Sequence, residues 1–257
     1  MKKVFIVIVN FNNLRDILKC LYSLRYEKAE IVIVDNKSSD SSVEAVKSKF
    51  KQVKILESEK NIGFAAASNK GIRYALRKKA DYVLLLNPDT IVEKNFLSVL
   101  LKKKADIISP VIKFKRKGEW VYDFGGRVNF LIGRTTHLEK NNLNAHLSSI
   151  DYISGCCMLI RRKVFEKIGL LNEGYFLFFE DVDFCLRAKK VGFKIALESK
   201  SVILHKLSEG KAKSLRQMYY LLLSNFIFIN KWVPVYHRPL AYLYLFALGT
   251  RMLLNRI

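Results

Sequence analysis

Short, continuous apolar runs alternate with helical periods through the first 110 residues of this chain. The runs Val4–Val9, Ile31–Val34, Val53–Leu56, Tyr82–Leu86 and Ile107–Ile108 predict strands. The stretches Leu14–Leu24, Ser41–Lys49, Ala65–Lys78 and Asn95–Leu101 predict helices between them. In the first helix Leu14, Ile17, Leu18, Leu21 and Leu24 fall on one face, the signature of a helix packed on a core. Asp40-Ser41-Ser42 and Asn95 stand where N-terminal caps are expected. The strands are apolar at every position rather than at alternate ones, so both of their faces are buried. That combination argues for a mostly parallel sheet covered by helices, an α/β fold.

The pattern changes after Pro110. From Val111 to Ile150, Lys, Arg, Gly and Asn are frequent and no amphipathic helix can be drawn, which predicts strands and loops inserted into the α/β frame. Ile150–Ile153, Met158–Ile160, Lys194–Leu197 and Val202–Leu204 read as further strands. Arg162–Ile168, ended by Gly169, and Asp181–Val191, ended by Gly192, read as helices. The expected organisation is a domain over residues 1–210, split into halves at about residue 110, followed by a helical tail over 211–257. The tail carries seven Lys or Arg and no Asp or Glu, and it is dense in Tyr, Phe and Trp. Its longest apolar run, Leu240–Leu248, is well short of the ~20 residues that span a bilayer. Basic, aromatic and apolar together suit a segment lying on an anionic membrane surface; a helical hairpin packed on the domain is the alternative.

Charge narrows the picture. The 257 residues include 45 Lys or Arg and 23 Asp or Glu, a formal net charge of +22. Such a surface suits an anionic partner, whether nucleotide, nucleic acid or membrane, or is simply a solvated basic face. Cys20, Cys156, Cys157 and Cys185 form no C-x-x-C pair and read as reduced, buried thiols of a cytosolic protein. The basic start Met1-Lys2-Lys3 leads into an apolar run that breaks at Asn10, so a first strand is expected rather than a signal peptide.

With acids this scarce, their positions matter. Ile31–Val34 runs into Asp35-Asn36, and Tyr82–Leu86 runs into Asn87-Pro88-Asp89. In open α/β sheets ligands bind at the carboxyl ends of strands. Asn10-Phe11-Asn12-Asn13 after the first strand lacks the glycines of a dinucleotide fingerprint, and no phosphate-binding P-loop exists. Asp35 can accept from a base N–H or a ribose hydroxyl, or form an Asx turn; Asp40 can cap a helix. Gly63, in Asn61-Ile62-Gly63-Phe64, permits close backbone approach at a helix start. Asp89 can hold a hard divalent cation, or the segment is a plain proline turn. Glu180-Asp181-Val182-Asp183 crowds three carboxylates at a helix start behind the aromatic run Tyr175-Phe176-Leu177-Phe178-Phe179. The helix dipole stabilises charge there, whereas apolar surroundings and crowding raise carboxylate pKa values, the tuning a general base needs.

Taken in order, these stations together with Gly155-x-x-Met158-Leu159-Ile160-Arg161-Arg162 and Phe179-Glu180-Asp181-Val182-Asp183-x-x-x-Arg187 resemble the family 2 glycosyltransferases, within them the rhamnosyltransferase-like branch. The resemblance covers roughly residues 3 to 210. It implies a GT-A fold, with a nucleotide-sugar half and an acceptor half. It implies that Asp35 bonds a uracil or thymine ring, that Asn10, Phe11 and Asn12 line base and ribose, that Asn61, Gly63 and Asn69 border the nucleotide-sugar, and that Asn36, Asn87 and Asp89 also belong to its binding site. Asn87-Pro88-Asp89 stands where many relatives carry Asp-x-Asp. Asp89 is then the metal ligand for Mg²⁺ or Mn²⁺, with His205 as a further one. Asp181, with Glu180 as its neighbour and rival, is the base of an inverting transfer. The donor implied is dTDP-rhamnose or a UDP-sugar, and the acceptor a glycan or lipid-linked glycan of a cell-surface polysaccharide. The enzyme would sit at the cytoplasmic face of the membrane, with no nucleic acid as partner. Arg161, Arg162 and Arg187 read as phosphate contacts or as structural ion pairs. Rival readings are a nucleotidyltransferase, which wants a glycine-rich basic loop after the first strand, and a non-enzymatic basic module, which does not need the acidic stations.

Overall fold

The computed structural model describes residues 2–143, 149–206 and 214–254. The ends of the expected tail, 211–213 and 255–257, and residues 144–148 lie outside them. In chain order the strands are β1 (Val4–Asn10), β2 (Glu30–Asp35), β3 (Lys54–Glu57), β4 (Tyr82–Leu86), β5 (Thr90–Val92), β6 (Ile107–Arg116), β7 (Glu119–Asn129), β8 (Arg134–Lys140), β9 (Cys157–Arg161) and β10 (Ile195–His205). The helices are α1 (Leu14–Leu24), α2 (Ser42–Lys49), α3 (Phe64–Arg77), α4 (Phe96–Leu100), α5 (Arg162–Ile168), α6 (Glu180–Lys190), α7 (Leu215–Trp232) and α8 (Arg238–Leu254).

All ten strands join one mixed sheet in the order β3-β2-β1-β4-β9-β6-β10-β5, and β7 and β8 extend from β6 as an antiparallel ribbon. β1, β2, β3 and β4 are parallel, while β9 runs antiparallel between β4 and β6. The expected boundary near residue 110 therefore falls inside β6, and the sheet is continuous across the two halves.

Alternate side chains of one strand feed two cores. Val4, Ile6 and Ile8 of β1 pack with Ile17, Leu21 and Leu24 of α1 on one face. Phe5 and Val7 pack on the other face with Ala67, Ile72 and Ala75 of α3 and with Val182 and Phe184 of α6. Burial on both faces is what the unbroken apolar run dictates.

Asp40 supplies the expected cap twice. Its Oδ2 accepts from the Leu14 N–H at 3.0 Å and its Oδ1 from the Ser42 N–H at 3.2 Å, so one carboxylate serves the starts of α1 and α2. Asn95 does not cap α4: it sits left-handed (φ 67°) and its side chain accepts nothing there. The expected strand Ile150–Ile153 is a single bridge, Gly126 to Tyr152, because Tyr152 exchanges its backbone bonds with Gly126 alone. The two expected strands at 194–197 and 202–204 are one, β10, with a register shift between Glu198 and Val202. All four cysteines are free and buried.

The tail is a helical hairpin. α7 packs on the domain through Met218, Phe228 and Ile229, whereas α8 buries only Ala241 and leaves Leu243, Phe246 and Leu254 exposed. Among the described residues no helix is long and apolar enough to cross a membrane.

Candidate active site

The parallel strands end together, and their tips form a polar network. Asn10 closes β1, and its Nδ2 donates to Asp35 Oδ1 (3.1 Å), Ser38 Oγ (3.1 Å) and Ser42 Oγ (2.8 Å). Asp35 is buried, and Ser38 donates to it from both backbone and hydroxyl, at 2.9 and 2.6 Å. The carboxylate is thus oriented by its own loop, and Asn10 Oδ1 stays buried with no partner among the described residues. Phe11 is 44% exposed at the same edge. Asn12 is left-handed (φ 51°), and its Oδ1 accepts from the backbone of Ser39 and Asp40.

Four of the residues expected to border the ligand bond or pack within the protein. Both amide hydrogens of Asn36 go to Asn61 Oδ1 and the Gly63 carbonyl, and its oxygen accepts from Ile62. Asn69 donates to the Leu171 carbonyl and Glu173 and accepts from the Leu171 N–H, so it ties α3 to the 171–173 turn. Gly63 does permit a close approach, but of the protein to itself. At φ 84° it faces the Phe176 carbonyl, which lies 2.5 Å from where a Cβ would be and accepts from the Phe64 N–H at 2.7 Å. Asn61 Oδ1 accepts from Asn36 and from the Gly63 N–H, a structural role at the same tip.

That contact begins the positioning of the acidic cluster. Phe176 also stacks on Tyr220 of α7 at 4.0 Å, the Leu177 carbonyl accepts from Ser224, and Phe179 packs on Phe228 at 5.1 Å. Clamped between α3 and α7, the chain turns through two successive left-handed residues, Phe178 (φ 71°) and Phe179 (φ 67°), into α6. Such backbone costs free energy and persists only where packing over-determines it.

Glu180 and Asp181 then enter a cavity of about 460 Å³ that Asn87, His137, Tyr152, Cys156 and His205 also line. Asp181 accepts from the Gly155 N–H (Oδ2, 2.8 Å) and the Val182 N–H (Oδ1, 2.8 Å). Burial raises its pKa, opposed by those two bonds and by the charge of His137. Glu180 is buried with Oε2 unpartnered among the described residues. Burial, and then the charge of Asp181, push it well above the ordinary carboxylate range. Of the pair, Glu180 therefore holds a proton more readily and Asp181 carries the charge. Asp183, two residues beyond Asp181, is fully buried outside the cleft, where it meets Arg187 (2.9 Å), Lys231 (2.6 Å) and the Trp232 indole (2.8 Å). Arg161 bonds Tyr82, and Arg162 pairs with Glu166, so these arginines are structural.

The other acidic station forms by strand pairing. β5 runs antiparallel to β10 with Thr90 opposite His205. Asp89 Oδ1 consequently lies 3.2 Å from His205 Nε2, buried and without a well-formed hydrogen bond among the described residues. Burial opposes charge on His205, but the neighbouring Cys156 sulfur and Asp89 outweigh it and raise its pKa to about 11. Burial lifts the Cys156 thiol to about 11 as well. At neutral pH that sulfur is protonated, which leaves Asp89 as the charge His205 meets. Among the described residues no three His, Cys, Asp or Glu side chains are arranged to hold a metal. The orphaned carboxylate oxygen of Asp89 nevertheless fits a hard divalent ion, and His205 would join it on giving up the proton that Asp89 favours.

Sequence reasoning missed the remaining polar wall of the cleft, namely Thr135, His137, Tyr152 and Ser154. His137 Nδ1 lies 2.8 Å from Asp123 Oδ2. No local motif marks this pair, because its members come from adjacent strands of the β7–β8 ribbon.

Comparison with known proteins gives the family and the fold. The family profile "Glycosyl transferase family 2" matches residues 5–169. The chain is 35% identical over 198 residues to the low-salt glycan biosynthesis hexosyltransferase of Haloferax volcanii, covering 74% of this chain and 62% of that relative. It is 24% identical to the dTDP-rhamnosyl transferase RfbF of Shigella flexneri, covering 82% of this chain and 71% of that one. Among solved structures, GalNAc-T7 with UDP, GalNAc and Mn²⁺ superposes with a TM-score of 0.67 at 17% identity, over 87% of this chain and 47% of that chain.

Proposed function

The chain belongs to glycosyl transferase family 2, and from that premise we propose that it is an inverting glycosyltransferase of GT-A architecture. It would move a sugar from a nucleotide-diphosphate donor, dTDP-rhamnose or a UDP-sugar, to a glycan or lipid-linked glycan acceptor. The observation that carries this reading is that Glu180 and Asp181 share one cleft with Asn87 and His205. Leaving-group stabilisation and proton removal are thereby offered to one substrate.

In this reading Phe11 gives the base a flat apolar face. Asp35 and the unpartnered Asn10 Oδ1 accept from its ring N–H; a pyrimidine imide N–H needs such an acceptor, and an unfilled buried one is costly to leave so. Asp89 and His205 would hold Mg²⁺ or Mn²⁺, which when bound neutralises charge on the leaving diphosphate. Asp181 takes the proton of the acceptor hydroxyl as that oxygen attacks the anomeric carbon from the face opposite the diphosphate. One displacement inverts the centre. Glu180, protonated beside it, keeps the base from facing a second negative charge. A nucleotidyltransferase or a non-enzymatic basic module has no comparable support.

The exposed face of α8, with Leu240, Leu243, Phe246 and Leu254, together with Tyr219 and Phe226 of α7, supports peripheral attachment to an anionic membrane. The chain should co-float with phosphatidylglycerol vesicles at low salt, and a chain lacking α8 that floats equally well would remove the membrane role.

The transfer reading is tested by screening nucleotide-sugars for protection against heat, since a ligand that binds the folded state raises its stability. Asp181→Asn should keep that protection and lose transfer. Normal turnover by the variant would show that the base lies elsewhere.

A further inference from the structure

The wall of the cleft facing the acidic cluster is built by a bulge. Along β7 and β8 the register shifts between Asp123 and Gly126. Gly125 adopts φ +86° there, and its N–H donates to Asp123 Oδ1 at 2.9 Å. Bulges of this kind re-aim a side chain, and here Asp123 is turned so that Oδ2 sits 2.8 Å from His137 Nδ1. Gly126 lies opposite His137, and a side chain on it would collide with the Tyr152 ring. That ring meets His137 edge-on at 5.4 Å. The imidazole is therefore fixed on two sides. With Nδ1 facing Asp123, Nε2 is the nitrogen that has no partner among the described residues.

The fixed ring lines the same cavity as Asp181. Asp123 is 8% exposed, whereas His137 keeps 41% of its side chain accessible. Around His137 the charged and titratable groups are Asp123 on β7, Glu139 on its own strand, Asp181 on α6 and the Tyr152 phenol. Burial works against the imidazolium, but Asp123, then Asp181 and Glu139, outweigh it and raise its pKa above the ordinary value. Thr135, Tyr152 and Ser154 add hydroxyls to the same wall. A set of hydroxyls with one fixed cationic donor recognises a hydroxyl-bearing ring rather than an aliphatic chain.

Building on the transfer reading, we propose that His137, held by Asp123, is a positioning residue for the acceptor sugar. Its Nε2 donates to a ring or hydroxyl oxygen next to the hydroxyl that Asp181 deprotonates, and so fixes which oxygen faces the base. The ribbon thus sets acceptor orientation, while the strand tips hold the donor.

The test uses the full chain with a panel of dTDP- and UDP-sugars as donors and synthetic sugar diphospholipids as acceptors. His137→Gln should raise the acceptor KM about tenfold or more, the effect of losing a charge-assisted hydrogen bond, and leave the donor KM unchanged. Asp123→Asn keeps the shape of the wall but removes the charge that most favours the His137 imidazolium. Its acceptor KM should therefore rise with pH, and begin that rise at a lower pH than the wild-type value does. A His137→Gln acceptor KM equal to wild type, an equal rise in donor and acceptor KM, or a flat Asp123→Asn profile would overturn the proposal and leave the transfer reading standing. A wild-type chain that turns over no member of the panel would overturn both.

Discussion

Replacing Asp183 by Asn should destabilise the protein, whereas replacing Asp181 by Asn should silence it. The two carboxylates are neighbours on α6 with opposite surroundings. Asp183 is 0% exposed and accepts from the Arg187 Nε, the Lys231 Nζ and the Trp232 Nε1. Asn is nearly isosteric, but it brings an NH₂ towards these donors and removes the charge that compensates two cations. Breaking one partner out of a buried ion pair costs about 3–5 kcal/mol. The loss here belongs at the lower end. Lys231 is 36% exposed and can turn to water, and Arg187 keeps the carbonyls of Ile168 and Leu170 at 2.6 and 2.7 Å. About 3 kcal/mol corresponds to a drop of roughly 6–12 °C in Tm for a chain of this size.

The assay is thermal unfolding followed by tryptophan emission in a Trp120→Phe background, so that Trp232 is the reporter. Asp183→Asn should lower Tm and shift the folded-state Trp232 emission to the red as α7 loosens from α6. Asp181→Asn should leave both readings near wild type. If Asp183→Asn melts within a degree or two of wild type with unchanged emission, the carboxylate does not anchor α7, and the separation of the acidic cluster into a catalytic and a structural part fails.

Three further outcomes follow from the same contacts. Glu180 has its pKa raised in the folded state by burial and by Asp181, so folding binds its proton more tightly and this group contributes less stability as pH rises above the ordinary glutamate value. Glu180→Gln should accordingly raise Tm at pH 8 relative to wild type and lose that advantage near pH 4, the ordinary glutamate range; an equal gain at both would refute the burial argument. Gly63→Ala places a Cβ against the Phe176 carbonyl at a positive φ, and at about 1–3 kcal/mol for such backbone it should lower Tm and transfer together, since moving Phe176 displaces the turn into Glu180. Asp89→Ala should abolish the dependence of UDP or dTDP affinity on Mn²⁺, read by calorimetry with and without the ion; affinity that still responds to Mn²⁺ would sink the metal role.

The sheet was legible because strands buried on both faces must be apolar throughout, and Val4–Val9 and Tyr82–Leu86 admit little else. The ribbon was legible only as strands and loops between Val111 and Ile150, without bounds or pairing, because β7 and β8 are half exposed and their pattern is broken by the bulge at Phe124-Gly125. For the same reason the Asp123–His137 pair could not be found: its members meet through register, and register is set by the turn and bulge rather than by spacing. Strand-tip amides were legible as a group but not individually. Asn10, Asn36 and Asn69 look alike in sequence, yet an amide can bond a ligand or saturate its own loop, and only the positions of Gly63, Ile62 and Leu171 decide which.

The acidic cluster is different, because the sequence contained a signal that separates its members. Residues two apart on a helix point about 200° away from each other, so Asp181 and Asp183 cannot face one cleft. Asp183 has an arginine four residues on, the spacing of an intrahelical ion pair, and Asp181 has Cys185 there. Spacing alone thus marks Asp183 as the paired acid and leaves Asp181 to the cleft. Glu180 is a separate matter. At 100° from Asp181 it can share the cavity, and the adjacency that places it there also denies it a second charge. One proton between two buried neighbours is the arrangement the proposed transfer calls for, with a single ionised base left for the acceptor.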